Sequence, residues 1–138
     1  MFTTRTGGVS PPPFDSLNLS TATGDDPAGV ERNRRVLAEV LGIPSGWAMA
    51  RQVHGCAVLE ATAPPRTGAA PPEADAVVTT ERGMPVAILT ADCVPIAIAG
   101  EGVVAAVHAG WRGLCRGVVG AGAERARAAA AGGALEAW

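Results

Sequence analysis

Two histidines and one cysteine are the side chains of this sequence best suited to bind a metal ion. His54 and His108 are its only histidines, and each ends an apolar run before a glycine-containing turn, while Cys93 lies within a different apolar run. Two imidazoles and a thiolate can hold a catalytic zinc ion and leave one coordination position open for water or substrate. Taken singly, each residue is better explained by a structural role. No HxxxH or CxxC pair brings two ligands together locally, so the pattern alone is weak evidence for a metal site.

The same residues also permit a different chemistry. A Cys93 thiolate could act as a nucleophile with His108 as its base. Asp92, next to the cysteine, could orient a histidine, bind water or pair with an arginine. Spacing alone does not show which side chains converge, so both chemistries stay open at this point.

Arg34 is an arginine in an unexpected position. It lies on the apolar stripe of a predicted helix, four residues after Val30 and three before Leu37. Its side chain either extends over the core with the charge in water or directs a guanidinium into a cleft that binds an anion.

The helix that carries Arg34 has clear predicted ends. Asp26 can cap its first turn, Pro27 suits the first helical position, and Gly42 can terminate it. The predicted apolar face consists of Val30, Leu37, Val40 and Leu41. Residues 1–26 are rich in Gly, Pro, Ser, Thr and Asp, so we predict a structured loop before the helix.

Beyond residue 46 the pattern changes to short apolar runs separated by turns, which is typical of β-strands. The runs span residues 47–54, 56–61, 74–80, 86–99 and 103–108. The fourth run is nearly apolar and is expected to lie centrally in a sheet, where Pro95 predicts a bulge or a local break in pairing. We also predict an Ala-rich helix from near Leu114 and a Pro/Gly/Ala-rich loop over 63–72.

Length and composition exclude several classes of protein. The 138 residues fit a single domain over 1–138, and the net charge of −2, with no lysine and few aromatic residues, disfavours nucleic-acid binding. No apolar stretch reaches the about 18 residues of a membrane span and the first residues lack a signal-peptide core, so we expect a cytoplasmic location and no membrane contact. Three cysteines without CxxC spacing disfavour a disulfide framework.

Eight motifs, in this order, resemble those of the YfiH family of laccase-domain proteins, also called multicopper polyphenol oxidase-like proteins and purine nucleoside phosphorylases. They are FTTRTGGVS, PFDSLNLS, GDDP, ERNR, RQVHG, EADAVVT, TADCVPI and AAVHAGWRGL. TADC followed by VHAGWRG is the most specific combination, and the match extends along essentially the whole chain. The resemblance implies an α/β (α+β) fold of mixed β-sheets flanked by helices, related to that of toxins with a catalytic Cys–His pair.

The resemblance also implies a site and an activity. It makes His54, Cys93 and His108 the ligands of an active-site zinc ion, with phosphorolysis of adenosine, inosine, guanosine or methylthioadenosine and a second activity as an adenosine deaminase. The laccase name suggests copper and phenol oxidation, but two histidines are too few for several coupled copper sites. A hydrolase using Cys93 and His108, a copper-dependent polyphenol oxidase and an inactive fragment are the alternatives.

Phosphorolysis needs a phosphate pocket, and Arg34 is the first candidate because a guanidinium matches phosphate oxygens in a bidentate way. Further candidates for contacts with substrate or phosphate are Arg5, Asp92 and Arg112. Asn18 is expected to cap a turn. Trp111 could stack on a purine, although a tryptophan after a strand is expected to lie in the core.

Family members are expected to continue beyond the position of Trp138 into further strands and helices. The chain therefore resembles the larger, N-terminal part of a domain. Uncovered sheet edges and apolar surface predict self-association, reduced solubility or loss of activity.

Overall fold

The computed structural model describes residues 1–63, 69–130 and 133–138. The chain divides into two compact units, Met1–Ser45 and Gly46–Trp138. The first contains one helix and a long loop, and the second contains a β-sheet with two helices. The assignment of 1–138 as a single domain stays a prediction.

The first unit combines an irregular N-terminal segment with helix α1. Residues 1–26 form no helix or strand, as predicted. Helix α1 spans Pro27–Leu41, the Asp26 carboxylate accepts a hydrogen bond from the Ala28 N–H, and Gly42 ends the helix in the left-handed conformation at φ 63°. Both predicted ends of the helix are therefore confirmed.

The buried face of α1 differs from the predicted one. Val30, Asn33 and Ala38 are buried, whereas Val40 is 77% exposed, so the assignment of Val40 to the apolar face is wrong. The physical reason is the position of the covering loop, which bonds to the helix at Asn33 and Arg34, about two turns before Val40.

The second unit is built on a five-stranded mixed sheet. Its strands are β1 (Val58–Glu60), β2 (Ala76–Thr79), β3 (Val94–Gly100), β4 (Val103–Ala109) and β5 (Leu135–Ala137), in the spatial order β1-β2-β4-β3-β5. β1 and β2 are parallel, and all other neighbours are antiparallel. The predicted fold class, mixed β-structure with helices, is confirmed.

Helix α3 (Val118–Ala129) packs on this sheet and forms the main core with it. Val118 and Ala126 of α3 are fully buried and belong to the same apolar cluster as Val107 of β4. A Cβ on Gly122 would lie 2.8 Å from the Val107 side chain. Gly122 therefore allows the helix and the sheet to approach closely.

Three predicted elements differ from those observed. Of the predicted strand-like run over 86–99, residues 86–93 contain only an isolated bridge at Val86, and the strand begins at Val94. Residues 47–54 form isolated bridges at Ala48 and Arg51 instead of a strand, because their partners, Val86 and Glu73, themselves lie outside the strands. The predicted helix near Leu114 is two helices, α2 (Trp111–Cys115) and α3. Gly117 separates them with a left-handed φ of 82°, which a continuous helix does not allow.

Pro95 lies inside β3 without the predicted bulge or break. It stands opposite His108 in a continuous register between β3 and β4. The His108 N–H points the other way and donates to the Asp75 carbonyl. Pro95 and His108 are therefore a pair without mutual N–H···O bonds, and the missing N–H of the proline costs no bond to β4.

Two sequence expectations concern the remaining segments. Of the predicted loop over 63–72, residues 64–68 lie outside the described residues, and the other positions form no helix or strand. None of the helices in the described ranges is long and apolar enough to cross a membrane.

Candidate metal centre

The sheet topology brings His54, Cys93 and His108 to one end of the sheet. Cys93 directly precedes β3 and His108 lies near the end of β4, and these ends meet because the two strands are antiparallel. The start of β2 meets the same end of β4, and β1, which His54 precedes, runs parallel to β2. Strand pairing thus gathers residues that are far apart in sequence.

The three side chains lie close enough to share one ion. One ligand atom from each lies within 4.8 Å of the other two, and Cys93 Sγ is 3.8 Å from His54 Nε2. The two imidazole rings meet edge to face with centroids 4.8 Å apart. A tetrahedral zinc with bonds of about 2.0–2.1 Å to nitrogen and 2.3 Å to sulfur separates these atoms by about 3.5 Å. The donor set and spacing therefore fit a three-ligand metal site.

Asp75 organises this end of the sheet. Its side chain is buried, with 1% of the residue exposed. Oδ1 lies 2.8 Å from His108 Nδ1 and accepts from the His54 N–H at 2.9 Å, while Oδ2 accepts from the N–H groups of Val53 at 3.1 Å and Gly55 at 2.7 Å. These four contacts engage both carboxylate oxygens.

The hydrogen bonds keep Asp75 ionised in spite of its burial. Burial acts to raise the pKa of Asp75, but the bonds from His108 and from the three backbone N–H groups outweigh it, and the pKa is lower than usual. A fixed negative charge therefore lies directly behind His108. Carboxylates in this position commonly orient metal-binding histidines.

The backbone of His54 has an uncommon conformation. Its φ of 58° makes it the one non-glycine residue in the left-handed region within the described ranges. Such a conformation costs about 1–3 kcal/mol and concentrates at functional sites. Three successive N–H groups donate to Asp75 and hold this conformation, and Arg116 Nη1 donates to the His54 carbonyl at 3.3 Å.

Glycines of the AGWRG segment leave space for the side chains of His54 and Cys93. A Cβ on Gly110 would lie 2.7 Å from His54 Cδ2 and 3.1 Å from Cys93 Sγ. A Cβ on Gly113 would lie 2.9 Å from the Gly55 carbonyl oxygen. Side chains at either position would push into the segment that carries His54.

The surroundings of Cys93 do not favour a free thiolate. Burial raises the pKa of Cys93, and the neighbouring Asp92 carboxylate, 3.7 Å from Sγ, raises it further. Nucleophilic cysteines have lowered pKa values. The thiol also contacts His54 Nε2, whereas the predicted hydrolase pair was Cys93 with His108. Metal coordination, which deprotonates a thiol, suits these surroundings better than a free nucleophile.

Arg34, the first phosphate candidate, binds within the first unit. Nε and Nη2 both donate to the Leu19 carbonyl, at 2.9 and 2.6 Å. Burial lowers the pKa of Arg34, and the Glu31 carboxylate opposes this effect. One edge of the guanidinium therefore holds the N-terminal loop.

Arg5 and Asn18 also make local contacts in the first unit. Arg5 Nε donates to the Asp15 carbonyl at 2.8 Å. Asn18 Oδ1 accepts from the Ser20 N–H, and its amide group donates to Thr23 Oγ1. Asn18 thus closes a turn, as predicted.

Asp92, Trp111 and Arg112 lie on the surface. Trp111 is 65% exposed, and the Arg112 guanidinium stacks on its ring at 4.5 Å. The placement of Trp111 in the core is wrong, because α2 begins at this residue and buries Gly113 instead. Asp92 and Arg112 are both exposed.

Two central residues, Asp75 and Asn33, were not predicted from the sequence. Asp75 stands alone before AVVT, a strand that is buried at every position. A single carboxylate at the start of such a strand must find donors, and this signal could have identified it. Asn33 follows Val30 by three residues on the buried side of α1, next to the Arg34 that was considered instead.

Comparison with known proteins shows similarity along the whole chain. The family described as multi-copper polyphenol oxidoreductase laccase matches residues 1–138. A purine nucleoside phosphorylase of Streptomyces coelicolor is 51% identical over 122 residues, which are 86% of this chain and 50% of the relative. The purine nucleoside phosphorylase YfiH of Escherichia coli is 47% identical over 118 residues, which are 84% of this chain and 47% of the relative.

Solved structures agree with this similarity. The hypothetical protein YfiH of Bacillus licheniformis matches with a TM-score of 0.87 and 27% identity, over 96% of this chain and 54% of that one. A Neisseria meningitidis protein matches with a TM-score of 0.80 and 39% identity, over 91% of this chain and 50% of that one. The chain thus spans about half the length of the relatives that it matches.

Proposed function

Because the chain belongs to the multi-copper polyphenol oxidoreductase laccase family, we propose that it carries the zinc site of a purine nucleoside phosphorylase. The proposed substrates are adenosine, inosine, guanosine or methylthioadenosine with phosphate, and adenosine deamination is a proposed second reaction. The convergence of His54, Cys93 and His108 within 4.8 Å carries the proposal. It is supported by relatives that are named purine nucleoside phosphorylases.

The donor set favours a single metal ion. Coupled copper sites need many histidine and cysteine ligands, and this chain has two histidines and three cysteines. Copper in a single site is the alternative to zinc. A zinc ion held by His54, Cys93 and His108 would act as a Lewis acid and lower the pKa of a bound water.

The bond changes of the proposed phosphorolysis set the requirements that the site must meet. The C1′–N9 bond breaks, its electron pair leaves with the purine, which takes up a proton, and a phosphate oxygen bonds to C1′. For adenosine the products are adenine and ribose 1-phosphate. The protein must therefore bind phosphate, align it with C1′ and keep water from replacing it.

We assign phosphate and substrate contacts to Arg34, Asp92 and Arg112 as part of the proposal. Asp92 and Arg112 are exposed and so accessible to substrate. Arg34 would bind phosphate through Nη1 or after release of Leu19, since Nε and Nη2 already share that carbonyl. Self-association through the sheet surface and a cytoplasmic location stay predictions.

The experiment that tests the proposal is an assay of purine release from adenosine. We expect adenine and ribose 1-phosphate to form only with phosphate present, to disappear on chelation and to return with added zinc. The S. coelicolor relative, assayed in parallel, is the positive control. Turnover that survives chelation would support a Cys93 hydrolase instead, and no turnover by the zinc-loaded chain beside an active relative would contradict the proposal.

A further inference from the structure

We propose that Asp75 is a positioning residue that fixes the tautomer of His108 and the backbone of His54 together, so that both imidazoles present Nε2 to one ion. The inference rests on the proposed metal site. It assigns to one buried carboxylate the preorganisation of two ligands from different parts of the chain.

The contact with Asp75 sets the tautomer of His108. Its Nδ1 lies 2.8 Å from Asp75 Oδ1, and both side chains are almost completely buried. Both oxygens of Asp75 already accept from backbone N–H groups and so act as acceptors, which makes Nδ1 the donor that carries the proton. In a neutral imidazole the lone pair then lies on Nε2, the nitrogen left for a metal ion.

Asp75 also holds the backbone of His54. The same Oδ1 atom accepts from the His54 N–H, and Oδ2 accepts from the N–H groups of Val53 and Gly55. These bonds hold His54 at its φ of 58°. Any displacement of the carboxylate would therefore disturb both imidazoles.

An amide cannot replace the Asp75 carboxylate without disturbing one of the two histidines. Asparagine has one accepting oxygen and one donating NH2 group. With its NH2 group toward His108, Nδ1 must accept, and the proton moves to Nε2. With its oxygen toward His108, the NH2 group faces the N–H groups of Val53 and Gly55, donor against donor. Either orientation damages one ligand.

The test compares Asp75→Asn with Glu73→Gln. Glu73 is an exposed carboxylate two residues earlier that pairs with Arg51, so its substitution makes the same charge change outside the site. Zinc affinity is measured by competition with a chromophoric chelator. We expect about 10- to 100-fold weaker zinc binding for Asp75→Asn and unchanged binding for Glu73→Gln.

A second measurement reads the tautomer directly. Nitrogen-15 NMR of the metal-free protein at mildly alkaline pH should show His108 protonated on Nδ1 in the wild type. In a folded Asp75→Asn variant it should show the proton on Nε2 where the amide NH2 group faces His108, and shifted backbone N–H signals of Val53, His54 and Gly55 where the amide oxygen does. Wild-type zinc affinity in Asp75→Asn would overturn the proposal, and so would weaker affinity in which neither the His108 tautomer nor the backbone N–H signals of Val53, His54 and Gly55 change.

The wild-type spectrum keeps the proposal falsifiable if Asp75→Asn does not fold. A wild-type His108 protonated on Nε2 alone would overturn the inference without any variant. Because this spectrum is recorded without metal, it is independent of whether the chain binds zinc. Failure of the wild type to bind zinc would instead count against the proposed metal site and function.

Discussion

Each of the two compact units is organised around one buried polar side chain, but these two side chains differ in charge and in what they connect. In the first unit, the Asn33 amide donates three hydrogen bonds and accepts one. Its partners are Val9, Ser10, Ser16 and Asn18. In the second unit, the Asp75 carboxylate receives its bonds from three backbone N–H groups and from His108.

The difference shows how a buried polar residue can serve either structure or chemistry. A neutral amide both donates and accepts, so Asn33 can join loop segments that offer carbonyls as well as N–H groups. A carboxylate accepts only, so Asp75 must attract donors, and one of these is an imidazole. By accepting a hydrogen bond from the protonated Nδ1, Asp75 leaves the lone pair of the other ring nitrogen available. The first arrangement closes a loop on a helix, and the second prepares a ligand.

The largest expected effect on stability is that of Asn33→Ala. The substitution removes the partner of the Val9 N–H, the Ser10 hydroxyl and the Ser16 and Asn18 carbonyls, and each group that stays buried and unpaired costs about 1–3 kcal/mol. We expect the free energy of unfolding in urea to fall by about 3 kcal/mol. Arg35→Ala, at an exposed position of the same helix, should change it by less than about 0.5 kcal/mol. A loss of unfolding free energy in Asn33→Ala as small as that in Arg35→Ala would contradict the structural role of Asn33.

A smaller effect is expected from Gly110→Ala, which tests the packing of the proposed metal ligands. The added methyl would lie 2.7 Å from His54 Cδ2, and overpacking of this kind costs about 1–3 kcal/mol. Zinc affinity should fall as His54 and Cys93 are displaced. Gly120→Ala is the matched control, because its methyl meets nothing within 4 Å in α3 and should stabilise the helix. Unchanged zinc affinity in Gly110→Ala would contradict the described geometry.

The smallest expected effect is a pH dependence in the first unit. Hydrogen bonds from Ser10 and Asn18 lower the pKa of Asp25, although burial opposes them. The folded protein therefore favours the ionised form, and this contribution is present above about pH 3.9, the usual value of a free Asp, and is lost as pH falls through the folded pKa. Asp25→Asn should weaken the acid dependence of unfolding. An identical acid dependence in both proteins would show that these hydrogen bonds do not favour the ionised form of Asp25.

Local signals were sufficient for the parts of the fold that depend on neighbouring residues. Asp26 and Gly42 fix the ends of α1 through contacts within a few positions, and both were predictable. Val40 and residues 47–54 were not, because their exposure and pairing depend on what covers them. Gly117 ends one helix and begins another by its backbone angle, which composition does not reveal.

The candidate site was only partly predictable for the same physical reason. The chemistry of His54, Cys93 and His108 singled them out, but their convergence depends on the register of four strands. The role of Asp75 depends on that register as well, because its donors come from a loop and from the neighbouring strand. Residue type indicated possible ligands, whereas long-range pairing determines which of them meet.

The measurement that tests the central claim most directly is the zinc content of the purified, folded chain beside that of Cys93→Ala. The described geometry predicts about one zinc per wild-type chain and none in the variant, with circular dichroism showing that both remain folded. A folded wild-type chain that binds no zinc, or a Cys93→Ala variant that retains it, would contradict the assignment of His54, Cys93 and His108 as one metal site.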